Sequence, residues 1–127
     1  MRTLLLALAA GALSACSPEP EAPSVQGPLA LDCDAGFEAM ASAVRGRPGI
    51  RPAPVDPKEP YLAFTEADSS ASYILTAPGA PAHPAVLRQR PVSGPEGRRM
   101  VHDGCAFGDP EAFAQFKTYW DAIAQAR

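Results

Sequence analysis

The chain has 127 residues, 15 of them proline, with 11 Lys plus Arg against 14 Asp plus Glu. That length allows one small domain, and a net charge of −3 leaves no basic excess with which to displace the counterions of a nucleic acid. Of the 46% hydrophobic residues, a share lies in residues 1–15, outside any core.

Residues 1–15 have the layout of an export signal peptide. Arg2 and the amino terminus are positive, and Leu4 to Leu13 form an apolar run of ten residues. A helix needs roughly 20 such residues to span a bilayer. Leu13-Ser14-Ala15-Cys16 follows. This run resembles the lipobox of bacterial lipoproteins, in which a large aliphatic residue and two small ones precede an obligatory Cys. The resemblance implies cleavage before Cys16, a diacylglyceryl thioether on its sulfur and acylation, commonly by palmitate, of the new amino terminus. An ordinary secretory signal cut after Ala15 fits less well, because Leu13 would stand where a small residue is needed. Each buried methylene contributes about 0.8 kcal/mol, so two or three acyl chains hold a protein on a membrane almost permanently. In enterobacterial lipoproteins an Asp after the lipidated Cys favours the inner membrane. Ser17 stands here, which implies the periplasmic face of the outer membrane.

Three cysteines are present. With Cys16 consumed by lipid, Cys33 and Cys105 remain, and in an oxidising compartment such a pair tends to a disulfide. Two sharper readings compete with it: a Cys105 nucleophile with His102 as its base, and a Cys/His metal site. Neither has a recognised motif spacing.

Residues 16–30 read as a lipidated Cys followed by a Pro-rich flexible tether, and residues 31–127 as a single globular domain. All nine aromatics lie in the latter. Cys33, Phe37, Met40, Ala41 and Val44 recur at helical spacing, with Asp34 as N-cap and Gly46 as stop. Gly46 to Pro60, with five prolines, reads as irregular surface chain. Tyr61–Glu66 and Ser70–Thr76 then form a hairpin, and Ala85–Val92 and Arg98–Asp103 form a second across Ser93–Gly97. Pro91 marks an edge or an end of its strand. Asp109, Pro110 and Glu111 open a last helix whose Phe113, Phe116, Trp120 and Ile123 share one face. That face reads as core in preference to the lining of a ligand pocket. The expected fold is α+β: a small two-layer domain with an antiparallel four-stranded sheet of two hairpins and both helices on one face.

Arg88 and Arg90 share one strand face, and pairing across the hairpin brings Arg98 or Arg99 beside them. Guanidinium groups suit phosphate and carboxylate, so these four mark a contact for lipopolysaccharide, peptidoglycan or an acidic envelope protein. The competing reading, a solvated sheet face, is favoured because the chain as a whole is not basic. Asp32 and Asp34 are explained by capping, and Glu66 and Asp68 by the hairpin turn. No phosphate loop, nucleophile elbow or metal motif is present, so no cofactor, metal or catalytic residue is assigned. The leading expectation is a non-catalytic, membrane-anchored periplasmic binding or envelope-maintenance module. The alternative is an inhibitor or immunity lipoprotein directed at an envelope hydrolase.

Overall fold

The computed structural model describes Cys16 and residues 27–126. Residues 1–15, read as a signal peptide, and residues 17–26 of the segment read as a tether lie outside the described residues. A 3-10 turn at Cys33–Ala35 precedes α1 (Phe37–Arg45). Five strands follow: β1 (Arg51–Pro52), β2 (Tyr61–Thr65), β3 (Ser72–Thr76), β4 (Ala85–Gly94) and β5 (Gly97–Ala106). Helix α2 (Pro110–Gln125) closes the fold. The strands form one antiparallel sheet in chain order.

The α+β class and the two helices agree with the sequence pattern, but the sheet has five strands where four are expected. The extra strand is β1, in the Pro-rich segment read as irregular. Arg51 pairs with Thr65 and Pro52 with Phe64 at the sheet edge, where a missing proline N–H costs no ladder bond. Two residues are too few to show a period.

The helices pack on opposite faces of the sheet, which makes three layers where two are expected. Tyr73 and Leu75 of β3 join Met40, Ala41 and Val44 of α1 in one cluster. Between them, Ile74 points the other way and meets Leu87 and Phe116 of α2 in a second. The cause is legible in β3, where Tyr73, Ile74, Leu75 and Thr76 are all buried. A strand buried on both faces needs cover on both.

The ends of the elements follow local chemistry. Asp109 accepts a hydrogen bond from Glu111 N at 2.9 Å and Pro110 takes the first helical position, as the sequence implies. At α1 the expected cap is corrected: Asp34 lies in the 3-10 turn, which Asp32 caps, and Gly36 precedes the helix. Gly36 has φ 88°, a turn between two helical segments that residues with a Cβ avoid. Pro91 does not end its strand. It pairs with Met100 well inside β4, past Gln89, where the pairing with β3 stops. Beyond that point β4 and β5 continue as a two-stranded ribbon, so the proline's missing donor faces an open edge.

Cys33 and Cys105 form a disulfide, with Cα atoms 5.3 Å apart and 72 residues between them in sequence. Closing such a loop stabilises the fold by about 4 kcal/mol in the chain-entropy picture. Cys16 is exposed and unbridged. The body's hydrogen bonds reach back to Gly27, upstream of the boundary read at Leu31. Leu29 N donates to the Tyr73 hydroxyl at 2.7 Å, and the Leu29 carbonyl accepts from Arg88 Nη1 at 2.8 Å.

Candidate functional site

The projecting ribbon of β4 and β5 and the C-terminal half of α2 face each other across an open cavity of about 520 Å³. Gln89, Pro91, Met100 and His102 form its sheet wall, Trp120 and Ile123 its helix wall, and Arg98 and Arg99 lie at its rim. The geometry follows from strand length. Near β3 the space between sheet and α2 is filled by Ile74, Leu87 and Phe116. Farther out the sheet narrows to two strands and α2 presents Ala124 to the gap, too small to fill it.

His102 is the best-buried polar group of this region, with a side chain 0% exposed. Its Nδ1 lies 2.6 Å from Asp121 Oδ1, and Lys117 Nζ donates to Asp121 Oδ2 at 2.8 Å. The Lys117 hydrogen bond, helped by that of His102, holds the Asp121 carboxyl below its ordinary value. A carboxylate on Nδ1 fixes the proton there and leaves Nε2 of the neutral ring as an acceptor. That nitrogen is buried with no hydrogen-bond partner, and so is Trp120 Nε1.

The four arginines of the sequence reading do not form one patch. Arg88, Arg90 and Arg99 occupy alternate register positions on the α1 side of the ribbon, and Arg98 those of the α2 side. Arg88 is committed to the fold: Nε donates to Asp103 Oδ1 at 2.9 Å, Nη2 binds Oδ2, and its side chain is only 14% exposed. The Arg88 guanidinium holds the Asp103 carboxyl below its usual range. Arg90 reaches the same carboxylate at 3.4 Å. Arg98 and Arg99 are exposed at the cavity rim.

The thiol reading of Cys105 is corrected. Its sulfur is bonded to Cys33, and its side chain lies on the α1 face while His102 lies on the α2 face. Val86, the register partner of Cys105, packs in the α1 cluster, whereas a Cβ on Gly104 would meet Phe113 of α2. Among the described residues no group of three or more His, Cys, Asp or Glu is placed to hold a metal. The aromatic stripe divides: Phe116 belongs to the core cluster, Phe113 and Trp120 pack against it, and Trp120 also lines the cavity.

A polar cluster on the α1 face is absent from the sequence reading. Glu66, 5% exposed, accepts from Arg47 Nε at 2.9 Å and from the Tyr73 hydroxyl at 2.7 Å. Arg47 also donates to the Gly27 carbonyl. Burial, with the hydrogen bond to Glu66, pushes the Tyr73 hydroxyl up to about 12. Nothing local marks Glu66, at a turn, as the partner of an arginine in a Pro-rich loop. His102 and Asp121 are equally remote in sequence, and only the stacking of α2 on β5 joins them. No protein-family model matches the chain, no curated protein matches it, and no solved structure matches its fold.

Proposed function

We propose that the protein is a lipid-anchored lipoprotein of the bacterial periplasm whose domain acts as a non-catalytic binding module at the envelope. The observation that carries this reading is the fate of the three sulfurs. Cys33 and Cys105 are bridged, and Cys16, exposed and unbridged, is left at the end of a run that resembles a lipobox. An export signal, an acylated Cys16 and an oxidised pair require the same compartment. Ser17 favours the outer membrane. The binding role is supported by an open cavity of about 520 Å³ with exposed arginines at its rim.

Intact mass of the membrane-extracted protein tests the anchor. The expected species begins at Cys16, carries two or three acyl chains and lacks two hydrogens for the disulfide. A soluble chain that retains residues 1–15, with no fatty acid on Cys16, would overturn it.

A further inference from the structure

The ionisable side chains of the body are sorted along the strands. In the antiparallel sheet, β2 ends, β3 begins and the β4–β5 ribbon turns at one and the same end. Helix α1 also finishes there, since Arg47, just beyond it, bonds Glu66 at the turn between β2 and β3. This end carries Arg45, Arg47, Arg51, Arg90, Arg98 and Arg99 against three carboxylates, Glu66, Asp68 and Glu96. At the opposite end the 3-10 turn and the start of α1 bring Asp32, Asp34 and Glu38. The chain before β2 adds Asp56, Lys58 and Glu59, and the start of α2 adds Asp109 and Glu111. Seven carboxylates there, all exposed, face one lysine. Between the ends Arg88 pairs with Asp103 and Lys117 with Asp121, and their charges cancel. A chain with an excess of acid thus has one basic pole.

Four arginines of that pole, Arg45, Arg51, Arg98 and Arg99, are exposed, while Glu66, its buried carboxylate, is taken by Arg47. They are spread over α1, β1 and both faces of the ribbon. That breadth suits an extended anionic surface rather than a small ligand. The same pole meets the chain coming from Cys16, for the Gly27 carbonyl accepts there from Arg47 Nη2. Eleven peptide units separate Gly27 from Cys16, a reach of at most about 40 Å.

We propose that the basic pole is a membrane-docking surface: it rests on the anionic phospholipid headgroups of the bilayer that holds the acylated Cys16, with the acidic pole turned away. This deepens the lipoprotein reading and rests on it. A basic patch beside an acyl anchor adds an attraction that salt screens.

The full lipidated protein is placed in phosphatidylcholine nanodiscs with or without phosphatidylglycerol, and a nitroxide-headgroup lipid broadens the amide NMR signals nearest the bilayer. With phosphatidylglycerol, the expected broadening gathers on Ser69, Arg98 and Arg99 and spares Asp34 and Asp109. The ratio of docked to undocked chains falls about tenfold in the Arg98→Ala, Arg99→Ala double variant. Its melting temperature stays that of the parent, and Lys58→Ala, at the other pole, leaves the broadening unchanged. Equal broadening of the two poles, equal broadening with and without phosphatidylglycerol, or broadening that survives about 1 M salt would each overturn the proposal. So would a pole that ignores phosphatidylglycerol and binds polyglutamate, which marks an acidic protein as the partner. A chain acylated at Cys16 whose poles broaden alike removes the docking surface and leaves the anchor standing. A chain without acyl groups whose basic pole still gathers on phosphatidylglycerol vesicles does the reverse.

Discussion

The two faces of the sheet are finished to different degrees. On the α1 face, Met40, Ala41 and Val44 seal the apolar cluster, and the buried Tyr73 hydroxyl and Glu66 carboxylate are matched to each other, to Leu29 N and to Arg47. On the α2 face the inner half is closed by Ile74, Leu87 and Phe116, but the outer half opens into a cavity whose His102 and Trp120 nitrogens lack partners. The same strands serve both faces. What differs is the cover: α1, with the disulfide and the residues from Gly27 on, packs on the wide part of the sheet, while α2 extends along the two-stranded ribbon. Open surface is therefore left where the sheet outgrows its packing.

The largest expected effect falls on the strap. Cys33→Ser and Cys105→Ser each lose about 4 kcal/mol of stability, in the chain-entropy picture, and lose it equally, as chemical denaturation will show. Unequal losses would break the view that the bridge acts only as a strap. Next comes the α1-face polar cluster. Glu66→Ala leaves the buried Tyr73 hydroxyl without its acceptor and removes the carboxylate from Arg47, at a cost of about 3 kcal/mol by the same measurement.

The third test uses pH. Folding raises the ionisation of Tyr73 from the ordinary 10.0 to about 12. The folded state thus favours the neutral phenol. Its contribution to stability is complete below pH 10 and is lost as pH climbs from there through about 12. Ultraviolet titration of the three tyrosines should show Tyr73 ionising near pH 12, and melting temperature should fall over that window. In Glu66→Gln the carboxylate's share of the shift disappears, and Tyr73 titrates lower.

The smallest effects separate the arginines. Arg88→Ala breaks a two-pronged bond to Asp103 and a bond to Leu29, and should lose about 1–2 kcal/mol. Arg98→Ala, at an exposed rim, should stay within about 0.5 kcal/mol of the parent in thermal melts. Equal losses at the two positions would erase the distinction between a fold-holding arginine and a solvent-facing one.

Much of the fold is legible in the chain because it is local. Asp109-Pro110 starts α2 by capping chemistry, Met40, Ala41 and Val44 mark the inner side of α1, and the glycines near Pro95 turn the long hairpin. The number of layers is less legible. The run Tyr73-Ile74-Leu75 alternates its side chains between faces, so uniform apolarity there signals cover on both, yet it reads equally as a short strand of a single core. The site is less legible still. Arg88 and Arg98 look alike in sequence, and the ten-rung register of the hairpin assigns one to Asp103 and the other to the cavity.

The sequence by itself determined the helices, the long hairpins, the pairing partners available to its cysteines and the resemblance of its first sixteen residues to a lipoprotein signal, because capping, turn chemistry and short motifs act between neighbours. Only the tertiary structure decided that the helices flank the sheet, that Glu66 lies buried beside Arg47, and that His102, Asp121 and Trp120 meet around one cavity. Those outcomes depend on which surfaces stack, and stacking joins residues whose separation along the chain carries no signal.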